Sequence, residues 1–242
     1  GVLHTVPYRD DHEDPDALLA KATQVGAKLI YIANPDNPMG SWHSADVMQK
    51  MIDRLPPDCM LILDEAYIDL APQGTAPVID PLTPNVVRMR TFSKAHGMAG
   101  ARVGYAMGSP EVISGFNKVR NHFGMSRIGQ IGALAALQDT DWRDNIRTQV
   151  DAARARIALI AADNGLKVLP SATNFVAIDC GKDGTFAREV LAYLVANGIF
   201  VRMPFTAPQD RCIRVSCGTP AQLDAFKAAF PAALAAAHEK LG

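Results

Sequence analysis

Four short, mostly apolar runs, each bounded by polar or turn-forming residues, set the architecture open to this chain. They lie at 28–33 (KLIYIA), 60–63 (MLIL), 86–91 (VVRMRT) and 102–107 (RVGYAM). Runs this short are too brief to persist as helices, and they read as strands buried on both faces. The first stops at Asn34-Pro35 and the second at Asp64-Glu65. Between them Ser44 is placed to cap a helix running to about Arg54. Strand-like runs alternating with helical ones predict an α/β fold with a mostly parallel sheet.

After Pro110 the pattern changes. Helical periodicity dominates 111–162, interrupted near 121–125. From Leu166 a smaller α/β unit is expected: a strand at 174–179 (NFVAID) and a helix at 186–197 closed by Gly198. Further strands are expected at 199–202 and 212–216, then an alanine-rich helix at 222–238 in which Pro231 starts or kinks a turn. With 242 residues, 48% of them hydrophobic, the chain has core for one large domain or two modest ones. The expected division is a large domain over 1–155 and a small C-terminal domain over 156–242.

Composition narrows the function classes. A formal net charge of −1 offers no broad basic field for nucleic acid or an acidic membrane surface, so any anion must be caught by a few placed arginines and backbone amides. No apolar run has the length to cross a bilayer, and no export signal opens the chain. The four cysteines, Cys59, Cys180, Cys212 and Cys217, make no Cys-x-x-Cys pair and no metal-ligand spacing with histidine. They read as thiols of a reducing cytoplasm, with no metal site expected.

Polar residues gather just after the apolar runs of the first half: Asn37 in Asn34-Pro35-Asp36-Asn37-Pro38-Met39-Gly40, Asp64 and Tyr67 in Asp64-Glu65-Ala66-Tyr67, and Lys94 in Thr91-Phe92-Ser93-Lys94. Taken singly, each has an ordinary reading. Asn-Pro and Pro-Met-Gly favour turns, an acid after a strand caps a helix, and a lysine is a solvated charge. In an open α/β sheet, however, the carboxyl ends of the strands face one crevice, so turns far apart in sequence converge.

In their order, these motifs resemble the fold-type I enzymes that use pyridoxal phosphate (PLP), specifically class I/II aminotransferases of the histidinol-phosphate aminotransferase type. Asn-Pro-Asp-Asn-Pro-Met-Gly is similar to that family's Asn-Pro-x-Asn-Pro-Thr-Gly, with Met39 where threonine is usual. Asp-Glu-Ala-Tyr matches its cofactor-strand motif. The stretch Thr-Phe-Ser-Lys-Ala-His-Gly-Met-Ala-Gly-Ala-Arg-Val-Gly resembles its Schiff-base segment, and Arg214 stands in the matching Ile-Arg-Val-Ser. The resemblance implies that Lys94 carries PLP as a Schiff base and moves the substrate proton, and that Asp64 pairs with the pyridine nitrogen. It implies that Asn37 and Tyr67 bond the ring's 3′-oxygen, and that Thr91, Ser93 and Arg102 hold the phosphate. Arg214 would clamp the substrate carboxylate, with Asn174 beside it. Arg202 and the weaker candidate Arg120 are offered for a substrate phosphate or side chain. A homodimer with shared active sites is implied as well.

One family segment has no counterpart. The glycine-containing phosphate turn and the aromatic ring stacked on the pyridine precede the Asn-Pro motif in relatives, whereas about thirty residues precede Asn34 here, and neither Tyr8 nor Tyr31 fills the stacking role. The expectation is a longer natural protein. The leading functional reading is transamination between histidinol phosphate, or a related amino acid, and 2-oxoglutarate. An aromatic amino acid aminotransferase and a PLP lyase or decarboxylase stand as alternatives, and a non-catalytic or truncated aminotransferase-like protein as a different class.

Overall fold

The computed structural model describes residues 1–78, 80 and 83–241. They divide into two compact units: Gly1–Asp36 with Trp42–Arg147, and Asn37–Ser41 with Thr148–Gly242.

The first unit is built on a four-stranded sheet in sequence order, β1 (Leu29–Ala33), β2 (Met60–Asp64), β3 (Val86–Thr91) and β4 (Gly104–Met107). The β1–β2 and β2–β3 pairs are parallel and β3–β4 is antiparallel. The apolar runs therefore form strands where the sequence places them, in a sheet that is mixed at one edge. The reversal is local: the Phe92 amide donates to the Val103 carbonyl, and Arg102 adopts a left-handed conformation with φ of 54°, so the chain turns back beside the strand it has just left.

Helix α1 (Pro15–Val25) precedes β1. Asp14 caps it by accepting from the Asp16 and Ala17 amides, and Gly26 ends it at φ 62°. Helix α2 (Ala45–Asp53) starts at the expected cap, Ser44. Leu19 and Ala22 of α1 and Met48 and Met51 of α2 close over Ile30, Ile32, Leu61 and Leu63 of the sheet. The parallel return from β2 to β3 carries only a 3-10 turn, Ile68–Leu70, among its described residues. Helices α3 (Pro110–Phe116), α4 (Arg127–Gln138) and α5 (Thr140–Asp163) follow, and the interruption foreseen near 121–125 spans 117–126. The division between units falls inside α5.

The second unit has a three-stranded antiparallel sheet, β5 (Lys167–Val168), β6 (Phe175–Asp179) and β7 (Cys212–Ser216), packed with α6 (Gly184–Ala196) and α7 (Pro220–Leu241). Phe186 and Val190 of α6, Phe226 and Phe230 of α7, and Val176 and Ile178 of β6 share its core. One expectation fails here. The run 199–202 is not a strand: Arg202 alone exchanges backbone bonds with Arg214, and Pro204 has no amide to extend the ladder. Pro231 lies on the exposed side within α7, whose buried face carries Phe226, Phe230, Ala233 and Ala237.

Candidate active site

In the first unit the site grows from the carboxyl ends of β2 and β3. Asp64 is the last residue of β2 and pairs in register with Met89 of β3, two residues before Thr91. Its Oδ1 accepts from the Ala66 amide at 2.9 Å, and its Oδ2 accepts from the Tyr31 hydroxyl at 2.7 Å. The chain then turns through Glu65 and Ala66 to Tyr67, whose ring is buried. The Lys94 Nζ sits over that ring, 5.2 Å from its centroid. An ammonium over an aromatic face is an attractive arrangement, and it holds the lysine head on the Asp64–Tyr67 side of the turn.

Ser93 and Thr91 are tied together. Their hydroxyls are 2.9 Å apart, and the Ser93 amide donates to Thr91 Oγ1 at 3.0 Å. Two hydroxyls and a backbone turn are thus fixed at the end of β3, one residue from Lys94. Beyond the turn, the Gly97 amide donates to the Lys94 carbonyl and the Met98 amide to the Phe92 carbonyl. Trp142 of α5 donates its indole N–H to the Ala95 carbonyl at 3.2 Å, bracing the loop. Arg102 is exposed and donates to the Ala99 carbonyl at 2.9 Å, on the strand return next to Thr91.

A buried ion cluster stiffens this corner. Glu65, 1% exposed, accepts from Arg88 Nε at 2.9 Å and Arg88 Nη2 at 2.6 Å, and from Arg90 Nε at 2.8 Å. The forked geometry is the strong form of a guanidinium–carboxylate pair. It binds the residue after Asp64 to the strand that leads to Lys94, so the two turns cannot shift independently.

Acidic residues surround the other side of Asp64. Glu13 accepts from the Ala33 amide at 2.8 Å, and Tyr8 donates to the buried Asp36 at 2.9 Å. Burial, then the neighbouring Asp36 and Asp64 charges, push the Glu13 carboxyl from 4.5 to about 8, against the Ala33 amide, which lowers it. Burial foremost, and then the Asp64 carboxylate it bonds, raise the Tyr31 phenol well above its usual range. Neither Glu13 nor Tyr31 was assigned to the site from sequence. The one signal for Tyr31 is a polar-tipped ring inside an otherwise aliphatic strand, two residues short of its end. Glu13 gives none, because an acid beside the cap residue Asp14 looks like first-turn charge.

In the second unit Arg214 of β7 donates to Asn37 Oδ1, and its guanidinium lies 4.6 Å from the centroid of the Phe175 ring. Asn37 belongs to a segment folded into this unit: the Ala172 amide donates to the Gly40 carbonyl at 2.9 Å, and a Cβ on Gly40 would meet Ser171 Oγ at 2.6 Å. Met39, where the resemblance leads to threonine, is fully buried, so an apolar side chain suits the position. Asn174 gives its carbonyl to the Cys217 amide at 2.8 Å. Arg202 is exposed, 5.8 Å from the Phe200 ring centroid, and exchanges backbone bonds with Arg214. Arg120 of the first unit is an exposed turn residue bonded to Asn117. Of the residues singled out in sequence, Asp64, Tyr67, Thr91, Ser93, Lys94 and Arg102 lie in the first unit, and Asn37, Asn174, Arg202 and Arg214 in the second.

Among the described residues no helix is long and apolar enough to cross a membrane, and no group of three or more His, Cys, Asp or Glu is disposed to hold a metal.

Comparison with known proteins agrees with the motifs. Residues 1–230 match the model of aminotransferase class I and II. The solved histidinol-phosphate aminotransferase of Sinorhizobium meliloti, in complex with pyridoxal-5′-phosphate, is 50% identical, with a TM-score of 0.95 over 97% of this chain and 65% of that one. Histidinol-phosphate aminotransferase 2 of Ralstonia nicotianae is 36% identical over 236 residues, 96% of this chain and 63% of its own length. The aromatic amino acid aminotransferase of Mycobacterium avium is 35% identical over 225 residues, 91% of this chain and 61% of its own. The chain thus spans a little over three fifths of the length of these curated relatives. With its motifs in order and 230 residues matched, the chain belongs to the aminotransferase class I and II family.

Proposed function

We propose that this chain carries the greater part of a PLP site and that its protein is an aminotransferase acting on histidinol phosphate, with 2-oxoglutarate as amino acceptor. The observation that carries the reading is the Lys94 ammonium held over the buried Tyr67 ring, one turn from the Asp64 carboxylate. The donor set suits the cofactor in kind: an amine for its aldehyde, a carboxylate for its pyridine nitrogen, paired hydroxyls and the exposed Arg102 for its phosphate. When bound, PLP supplies an electron sink for charge developing at the substrate α-carbon.

In this reading the chain's own residues do the following. Lys94 holds the cofactor through its amine and moves a proton at the α-carbon. Asp64 keeps the proton on the ring nitrogen. Tyr67 and Asn37 donate to the ring oxygen. Thr91, Ser93 and Arg102 bind the phosphate. Arg214 binds the substrate carboxylate, with Asn174 beside it, and Arg202 serves the substrate's distal group. The first compact unit is then the cofactor-binding domain and the second the small domain. A homodimer fits the exposed apolar side chains of α4, where Ile128, Ile131, Leu134 and Leu137 recur at helical spacing. Sedimentation of the natural-length protein checks it, and a monomer at micromolar concentration contradicts it.

Histidinol phosphate is preferred because it is the substrate in the names of relatives at 36% and 50% identity. An aromatic amino acid is the second reading, supported by the relative at 35%. The natural-length protein, loaded with PLP and reduced with borohydride, should carry the cofactor's added mass on the peptide containing Lys94. Lys94→Ala should lose the visible band of bound PLP and at least about a hundredfold in activity. A band that survives this substitution, or an adduct on another lysine, defeats the proposal. With a panel of amino donors, glutamate formation from 2-oxoglutarate marks transamination, whereas release of CO2 or ammonia marks decarboxylation or elimination.

A further inference from the structure

Asp64 is held from both sides, and one of the holders lies on a different strand. The Ala66 amide bonds Oδ1, and the Tyr31 hydroxyl bonds Oδ2 at 2.7 Å. The register explains why tyrosine can do this. Strands β1 and β2 are parallel, with Ala33 level with Asp64 and Tyr31 level with Ile62. Tyr31 and Ala33 therefore point to one face, and the small Ala33 leaves the space beside Asp64 open. Two residues of strand rise are about 6.6 Å, which a phenol leaning along the strand can bridge and a shorter side chain cannot.

We infer that Tyr31 is a positioning residue for Asp64, donating its hydroxyl to Oδ2 so that the carboxylate is held oriented toward the cofactor's ring nitrogen. The inference rests on the proposed role of Asp64 at that nitrogen. A donor on a carboxylate stabilises its charged form and lowers its hold on a further proton. A proton shared between Asp64 and the ring nitrogen is thereby kept on the ring.

The surroundings show why such a donor is needed. Glu13, buried and facing Asp36 and Asp64, keeps its proton to about pH 8. Two carboxylates remain beside it, and each receives a phenol: Tyr8 on Asp36 and Tyr31 on Asp64. Without Tyr31, Asp64 keeps the Ala66 amide on Oδ1 and loses the donor that fixes Oδ2.

The test uses the natural-length holoenzyme loaded with PLP labelled with 15N in the ring, comparing wild type, Tyr31→Phe and Asp64→Asn. Tyr31→Phe removes one hydroxyl and keeps the ring, so the strand packing is retained, and unchanged far-ultraviolet circular dichroism verifies it. The ring-nitrogen resonance should move toward the neutral pyridine position in Tyr31→Phe, and further in Asp64→Asn. PLP binding should be weakened about tenfold in Tyr31→Phe, the scale of losing one hydrogen bond to a charged group. If Asp64→Asn moves both readouts while Tyr31→Phe matches wild type, the role of Tyr31 is overturned and that of Asp64 stands. If Asp64→Asn also matches wild type, Asp64 does not serve the ring nitrogen, and the inference falls with its premise.

Discussion

Glu13→Gln should stabilise the protein at alkaline pH and remove a pH dependence that the wild-type chain carries. In the folded chain the Glu13 carboxyl binds its proton to about pH 8, against an ordinary value of 4.5, because it is buried and faces Asp36 and Asp64. Between those values the folded state holds a proton that the unfolded state has released. Stability is therefore full below about pH 4.5, falls as pH rises toward 8, and levels off above. At about 1.4 kcal/mol for each tenfold change in proton affinity, the loss by pH 9 is on the order of 4 kcal/mol. Glutamine has nearly the same shape and can still accept from the Ala33 amide that bonds Glu13 at 2.8 Å, so the substitution removes the titration and little else. The assay is urea unfolding followed by tryptophan fluorescence from pH 5 to 9. Both tryptophans, Trp42 and Trp142, lie in the same compact unit as Glu13. The two proteins should match near pH 5 and diverge steadily, the variant being the more stable by about 3–5 kcal/mol at pH 9. Titrations common to both proteins cancel in the difference. Parallel curves over the whole range would refute the argument that burial beside two acids holds the Glu13 proton.

Two further outcomes follow from buried chemistry. Arg88→Met leaves Glu65 with Arg90 and without its bidentate partner; it should cost about 3 kcal/mol by urea unfolding, and Arg88→Met combined with Glu65→Leu should recover much of the loss. An Arg88→Met protein of wild-type stability contradicts the strut. Burial pushes the Cys180 and Cys217 thiols up to about 12, so on the order of one thiol in ten thousand is thiolate at pH 8. Both should resist iodoacetamide in the native chain and react in urea, as peptide mapping would show, and rapid native labelling of either excludes the burial.

The strands of the first unit were legible because each is a short apolar run ended by residues that cannot remain buried unpaired: Asn34, Asp64 and Thr91 mark the ends of β1, β2 and β3. The direction of β4 was not legible. Arg-Val-Gly-Tyr-Ala-Met would suit either orientation, and the choice is made by the Arg102 turn and the Phe92–Val103 bond. The failed strand at 199–202 has the same origin. Its apolar pattern is real, since Val201 and Met203 are buried, but pairing needs a partner strand and free amides, and Pro204 withdraws one.

The site divides along the same line. Residues proposed to act at the end of their own strand could be singled out from local sequence, because the strand end and the chemical group coincide. Tyr31 was passed over because its contribution depends on the offset between two strands. It matters only when Ala33 stands level with Asp64, and that register is a property of the β1–β2 pairing, to which residues 31 places apart contribute. Glu13 is more distant still: its altered proton affinity comes from Asp36 and Asp64, brought near by the fold of three separate segments. Groups that touch a ligand can be read as motifs, whereas groups that set the electrostatics behind them emerge only once the register is known. The consequence is testable here. Substitutions at Lys94 or Asp64 should abolish or alter cofactor binding outright, whereas those at Tyr31 and Glu13 should shift proton positions and pH profiles and leave the fold and the binding contacts in place.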